Sequence, residues 1–326
     1  MPITTPLTEL LGIRHPILLA PMDIVAGGRL VTAVSRAGGF GILGGGYGEN
    51  AWLVQETAKL AALDAPFGIG FITWSLAKRP ELLDVALAAK PSAIMLSFGD
   101  PAPFAAKIAS AGARLICQVQ DEAMARQALD AGADILVAQG TEAGGHGAWR
   151  TTIDLVPAIV DLAVGRVPVV AAGGIADGRG LAAMMMLGAS GVLLGTRFYA
   201  SQEADGADEA KRRICAANSG STVRGIIFDL SRNNVWPAPF TGRCLVNDHA
   251  RRWIGREVEL VQNVAAVAAE YAAAKVSGDF DIAAVIAGEA VGLIHDIPPA
   301  AEIVERIASE AEQLLAGRRN SIASLA

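Results

Sequence analysis

The run Ala133–Gly147, ADILVAQGTEAGGHG, takes an apolar, β-branched stretch into a glycine-rich loop that carries one imidazole, His146. Imidazole is the side chain best matched to proton transfer near neutral pH. The small residues beside it let a flat ligand come close to the backbone. A second group of residues suits phosphate. Gly173 and Gly174 lie in AAGGIADGRG, and Gly195 and Thr196 lie in LGTR. Glycine exposes backbone N–H groups without steric cost, and a following helix N-terminus adds positive potential. Thr196 adds a hydroxyl, and Arg197 is a candidate to pair with a carboxylate of the wall. Gln118 and Gln120, two apart on one apolar run, share a face and need partners. The polar edge of a heteroaromatic ring or a core network would serve equally. In Ala20-Pro21-Met22 the proline stiffens the turn, and Met22 offers a polarizable surface suited to a planar ring or to the core.

The chain has four histidines. His15 precedes the first apolar run and His295 lies in a proline-broken segment, so both are expected to be structural. His249, in NDHARR, is expected at the surface. Glu142 is expected to be solvated or salt-bridged.

The elements that must position these residues follow one rhythm. Short apolar runs at 16–20, 39–44, 67–72, 93–98, 114–119, 134–139, 167–172 and 191–196 alternate with alanine-rich helical patterns. Such runs are continuously hydrophobic, as strands buried on both faces should be. Eight strand–helix units predict an α/β fold, a (β/α)8 TIM barrel. In such barrels chemistry sits at the C-terminal ends of the strands, and the loops after strands seven and eight commonly bind phosphate. The rhythm breaks after Ala216. Helical patterns at Val246–Val276 and Ile282–Val291 precede a proline break and an amphipathic helix from Ala300 to Leu315, with Ile303, Val304, Ile307, Ala311 and Leu314 on one stripe. The expected organisation is a barrel at 1–216, an inserted helical cap at 217–298 and a returning C-terminal helix at 299–326.

A net charge of -6 without a basic block argues against nucleic acid as a partner. The three cysteines are widely spaced, so neither a zinc site nor a disulfide framework is expected, and a cytoplasmic setting fits. The N-terminus lacks the pattern of a signal peptide. The uncharged stretch Leu181–Thr196 reads as a helix end plus a strand, so no membrane partner is expected.

Taken together, HPILLAPM, SRAGGFGILGGG, AQGTEAGGHG, PVVAAGGIADGRG and LGASGVLLGTRF make the chain resemble the flavin-dependent nitronate monooxygenases, formerly 2-nitropropane dioxygenases. The resemblance implies an FMN-bearing barrel and a smaller substrate domain. It places His146 against the flavin, Gly173, Gly174, Gly195 and Thr196 at the phosphate, and Ala20, Pro21 and Met22 along the ring. Gly70, Gln118, Gly145 and Ala172 complete the implied cofactor site. The chain departs from relatives at Gly70, where Asn is common, at Ser97, where some carry histidine, and at Gln118, where some carry lysine. The implied reaction oxidises an alkyl nitronate with dioxygen to a carbonyl compound and nitrite, His146 serving as base or nitro-group ligand. FMN-dependent enoyl-acyl carrier protein reductases and NADH:quinone reductases share the AGGH loop. An NAD(P)H-dependent reductase therefore stands as the alternative, with a non-catalytic phosphate-binding barrel behind it. NAD(P)H use and homodimer formation stay open.

Overall fold

A computed structural model describes residues 3–234 and 236–323. Residues 324–326 of the expected C-terminal segment, and Met1, Pro2 and Val235, lie outside the described residues. Eight parallel strands form the barrel: β1 (Ile17–Leu19), β2 (Gly41–Gly44), β3 (Phe67–Ile72), β4 (Ala93–Ser97), β5 (Arg114–Val119), β6 (Ile135–Gln139), β8 (Val169–Ala172) and β9 (Gly191–Leu194). A bridge between Leu18 and Phe40 joins β1 to β2 and closes the ring. Every predicted strand is present. Their side chains alternate between two cores, which is why the runs had to be apolar throughout. Leu18, Phe40, Ile42, Met95, Ile116, Val137, Val170 and Leu193 fill the barrel, while Ile17, Leu19, Leu43, Ile69, Leu136 and Val192 pack outward under the helices.

At the C-terminal mouth the filling thins. A Cβ at Gly70 would lie 2.4 Å from that of Pro21, so the missing side chain lets the β1 loop fold over the barrel. A Cβ at Gly195 would meet only Ala20 and Met22, at 3.6 and 3.7 Å. The mouth is thus lined by backbone and small residues, which leaves room for a flat ligand.

The segment expected as an inserted helical cap carries strands as well as helices. β7 (Gly145–Gly147), which carries His146, pairs antiparallel with β11 (Thr241–Leu245), and β11 pairs with β10 (Thr222–Gly225). This three-stranded sheet stands above the barrel. The expected run Val246–Val276 divides into helices Asp248–Trp253, Glu257–Gln262 and Val264–Ser277. Gly255, with φ +77°, ends the first, and Asn263 closes the second. Ile282–Val291 is largely extended, with a short 3-10 turn at Glu289–Leu293. Ile286 bridges Cys244, and Gly288 lies too close to Gly144 for a helix to fit between them. Phe228, Cys244, Trp253, Leu260, Val267 and Tyr271 form a small core apart from the barrel.

The last helix, Ala300–Ala323, lies on helices Gly178–Met186 and Gly28–Arg36. Ile303, Val304, Ile307 and Ala311 are buried there, whereas Leu314, expected on the same stripe, is exposed. No helix among the described residues is long and apolar enough to cross a membrane.

Candidate active site

His146 lies on β7 directly above the barrel, 8% exposed. Its Nε2 is 2.9 and 3.1 Å from the two carboxylate oxygens of Asp229, a buried residue of helix Ile227–Ser231. An ionised carboxylate only accepts. Nε2 therefore carries the proton of the neutral ring and donates it, leaving the Nδ1 lone pair free for chemistry. Arg232 Nη2 donates to the same carboxylate at 2.5 Å. Burial pushes the His146 imidazole below its ordinary value, against the upward pull of the Asp229 hydrogen bond and charge; Arg232 and Arg224 push the same way as burial.

Trp236 stacks on the imidazole, with centroids 3.4 Å apart and planes 5° from parallel. Its indole N–H donates to the Tyr47 hydroxyl at 2.9 Å, and Trp74, Phe98 and Phe240 pack edge-on around it. His146 is thus screened on one face by aromatic carbon and open at its edge.

The backbone of His146 is fixed as firmly as its ring. Gln139 Nε2 donates to the His146 carbonyl at 3.1 Å, and Gln139 Oε1 accepts from Gln118 and Gln120 at 3.2 and 2.9 Å. The two amides of β5 therefore have a core network. Gln118 also remains partly exposed at the mouth, so its free oxygen can face a ligand. Arg224 Nη2 donates at 2.9 Å to the carbonyls of both Thr141 and Ala143, and Arg243 Nε donates to Thr141 at 2.9 Å. Two buried guanidiniums from β10 and β11 thus hold the loop that leads to His146. Burial, aided by the charge of Arg243, pushes Arg224 down to about 10.

The phosphate candidates come together because β8 and β9 are neighbours. Gly173 and Gly174 have φ of +107° and +72°, which favour glycine. The backbone N–H groups of Gly174, Ile175 and Gly195 find no acceptor among the described residues. Ile175 is buried, Gly195 half-buried and Gly174 exposed, and their N–H groups make a candidate cradle for an anion. Thr196 Oγ1 accepts from Gly288 N at 2.9 Å, leaving its own hydrogen to donate. Ala20, Pro21, Met22, Gly145, Gly173, Gly195 and Thr196 are all partly exposed around the mouth, and Ala172 is buried beneath them.

Other candidates lie elsewhere. Glu142 is half-buried and forms no ion pair among the described residues. It accepts from Thr152 N and Oγ1 at 2.9 and 2.7 Å and so caps the helix that begins there. His249 is buried, contrary to expectation, with Nε2 2.8 Å from Ser231 Oγ beneath the Asp229 helix. His15 accepts from Arg14 Nε at 2.8 Å, and His295 is exposed. Arg197 pairs with Asp296 at 2.8 Å. Asp229, Trp236, Arg224 and Arg243 were not singled out in the sequence. They lie roughly eighty to a hundred residues from His146, and only the antiparallel pairing of β7 with β11 brings them to it.

The family profile described as nitronate monooxygenase matches residues 4–78 and 72–310. A Mycobacterium tuberculosis protein named (3aS,4S,5R,7aS)-5-hydroxy-7a-methyl-1-oxo-octahydro-1H-indene-4-carboxyl-CoA dehydrogenase is 30% identical, over 95% of this chain and 97% of its own length. A Neurospora crassa nitronate monooxygenase is 32% identical over 92% of this chain and 90% of its own. The structure of FabK from Thermotoga maritima superposes with a TM-score of 0.86 at 32% identity, covering 98% of this chain and 99% of that one. These matches span both the barrel and the segment that supplies Asp229, and they show an oxidoreductase: the chain belongs to the nitronate monooxygenase family.

Proposed function

We propose that the protein is an FMN-dependent enzyme that oxidises alkyl nitronates with dioxygen to a carbonyl compound and nitrite. The observation that carries this reading is the buried His146 at the barrel mouth, its Nε2 2.9 and 3.1 Å from the two carboxylate oxygens of Asp229. The residues fit the cofactor. Gly174, Gly195 and Thr196 would hold its phosphate, Ala20, Pro21 and Met22 would lie along its ring, and Gln118 would meet the ring's polar edge. FMN, when bound, supplies the redox chemistry that the side chains lack.

The chain's own groups supply the proton chemistry. A nitronate is already deprotonated at carbon, whereas a nitroalkane must first lose its α-proton. His146 Nδ1 takes that proton, and Asp229 stabilises the imidazolium that results. The charged ring then faces the nitro oxygens as negative charge builds on them. The wall of Trp236, Trp74, Phe98 and Phe240 keeps bulk water from the site.

The test is an aerobic assay with nitroethane and its preformed nitronate, reading nitrite, beside a visible spectrum of the purified protein. Nitrite release and a flavin spectrum support the reading, whereas a colourless protein that takes up no FMN overturns it. A second reading rests on the similarity to the protein named as a carboxyl-CoA dehydrogenase. Under it the enzyme would be an NAD(P)H-dependent reductase, and anaerobic NADH would bleach the flavin rapidly while nitronates went unoxidised.

A further inference from the structure

Two donors at the mouth are left without acceptors among the described residues. Arg232 follows the helix Ile227–Ser231. Its Nη2 donates to Asp229 at 2.5 Å and its Nε to the Phe228 carbonyl at 3.1 Å, while Nη1 has no acceptor. Unlike Arg197 Nε and Arg224 Nε, which are buried without a partner, Arg232 Nη1 keeps accessible surface, so a ligand can touch it. Tyr47, on the loop after β2, accepts from Trp236 Nε1 at 2.9 Å. An indole N–H only donates, so the Tyr47 hydroxyl hydrogen must point elsewhere, and no described residue accepts it. Ser75 Oγ donates to the Tyr47 carbonyl at 3.1 Å and fixes the loop.

Each donor is one contact away from the imidazole. Asp229 Oδ1 accepts from both Arg232 Nη2 and His146 Nε2, and Trp236 both donates to Tyr47 and stacks on the His146 ring. The charge of Arg232 also reaches Asp23 on the loop after β1, Tyr47 and His146. The guanidinium therefore stands where the barrel loops, β7 and the cap meet. Arg224, the other guanidinium whose charge acts on His146, spends both terminal nitrogens on the carbonyls of Thr241, Thr141 and Ala143. Asp23 opposes an anion beside Arg232, and Lys275 offsets it. A planar guanidinium and a hydroxyl match a flat group that carries two oxygens.

We propose that Arg232 Nη1 and the Tyr47 hydroxyl clamp the two oxygens of a nitronate beside His146, and so select an anionic substrate over a neutral one of the same shape. The loop after β2 supplies one donor and the cap the other, so the clamp is complete only where barrel and cap meet. The identity of the anion rests on the nitronate reading. The clamp itself is defined by its two donors, and it takes a carboxylate as a mimic.

The test is calorimetric titration of the flavin-loaded protein with propionate and with propionamide, which has the same shape and no charge. Propionate should bind at least about tenfold more tightly, the margin of a hydrogen bond to a charged donor, and should inhibit ethyl nitronate oxidation competitively. In Arg232→Gln the preference for propionate should vanish. A guanidinium that served only to hold Asp229 would leave that preference intact while turnover fell. Tyr47→Phe gives an independent probe. Both ligands should lose affinity by roughly two- to tenfold, because a hydroxyl serves a carbonyl oxygen as well as a carboxylate. Equal binding of propionate and propionamide by the unaltered protein, propionate that binds without competing, a preference that survives Arg232→Gln, or unchanged affinities in Tyr47→Phe overturns the clamp. Turnover separates the two ideas. If the titrations come out as expected but no nitronate is oxidised, the nitronate reading falls and the anion clamp stands. If nitronates are oxidised and Arg232→Gln leaves their KM unchanged, the clamp falls alone.

Discussion

Asp229→Asn separates the work of the imidazole from the rest of the site. The asparagine keeps the shape but loses the charge, and its amide can present either a donor or an acceptor to His146 Nε2. In the native protein both carboxylate oxygens lie within 3.1 Å of that nitrogen, which favours the proton on Nε2 and leaves Nδ1 as the proposed base. In the variant a large share of molecules would carry the proton on Nδ1, with no lone pair for the substrate. General-base catalysis is worth about 10²–10⁴-fold, or about 2.7–5.4 kcal/mol of barrier. Proton abstraction from nitroethane should fall by an amount in that range. Preformed nitronate needs no abstraction and should lose less than about tenfold on the same scale. The pH profile gives a second readout. Burial holds His146 below its ordinary value while Asp229 pulls it upward, so removing the carboxylate lowers it further. The acid limb of kcat/KM, which marks loss of the neutral base as pH falls, should move to lower pH although the plateau is reduced. Steady-state nitrite assays on both substrates from pH 5 to 9 measure all of this. Equal losses on nitroalkane and nitronate, or an acid limb that moves upward, would refute the reasoning.

Trp236→Ala should move the acid limb the other way. The stacked indole 3.4 Å above the imidazole is part of the burial that depresses it, so water admitted there lets the value rise. Gly195→Val should fold, because a Cβ there meets nothing closer than 3.6 Å, but its branches would occupy the cradle. Gel-filtered protein should then lose FMN, read as the ratio of flavin to protein absorbance, while the far-ultraviolet circular dichroism is unchanged. Arg197→Met removes a buried guanidinium that pairs with Asp296 and donates to the Ala200 carbonyl at 2.7 Å. Asp296 is itself 44% exposed, so the loss is mainly that of the hydrogen bonds to the Ala200 and Asp296 carbonyls, about 1–3 kcal/mol. The lower end applies because Asp296 keeps Arg306, and a clear drop in the urea midpoint would check it.

The barrel was legible because its physics is local. A strand buried on both faces must be apolar at every position, and a helix that returns the chain must be periodic, so runs such as PILLA and GVLLGT announce themselves. The Gly173-Gly174 and Gly195-Thr196 turns were legible for the same reason: each needs its own residue types at its own place. The sheet that carries His146 was not. GHG has no strand propensity, and β7 exists only because Gly242 and Arg243 of β11 pair with it across nearly a hundred residues. Asp229 was invisible for that reason. His249 misled in another way: the charges of NDHARR suggest a surface, but the helix turns His249 inward beneath Ser231 and leaves Asp248, Arg251 and Arg252 to the solvent. A charged run sets which side of a helix faces water and says little about its one uncharged ring.

The division between barrel and cap explains why the site is easier to read than the reaction. The cradle and the ring-facing loop belong to strands β1, β8 and β9, and they would serve any chemistry that needs the same cofactor. The residues that give His146 its protonation state come from elsewhere: Asp229 and Arg232 from one helix of the cap, Trp236 from the loop after it. His146 itself lies on a strand that pairs with β11 and is tied to the barrel through Gln139 of β6. On the proposed mechanism a substitution at Asp229, Arg232 or Trp236 would alter the base while leaving the glycine turns after β8 and β9 untouched.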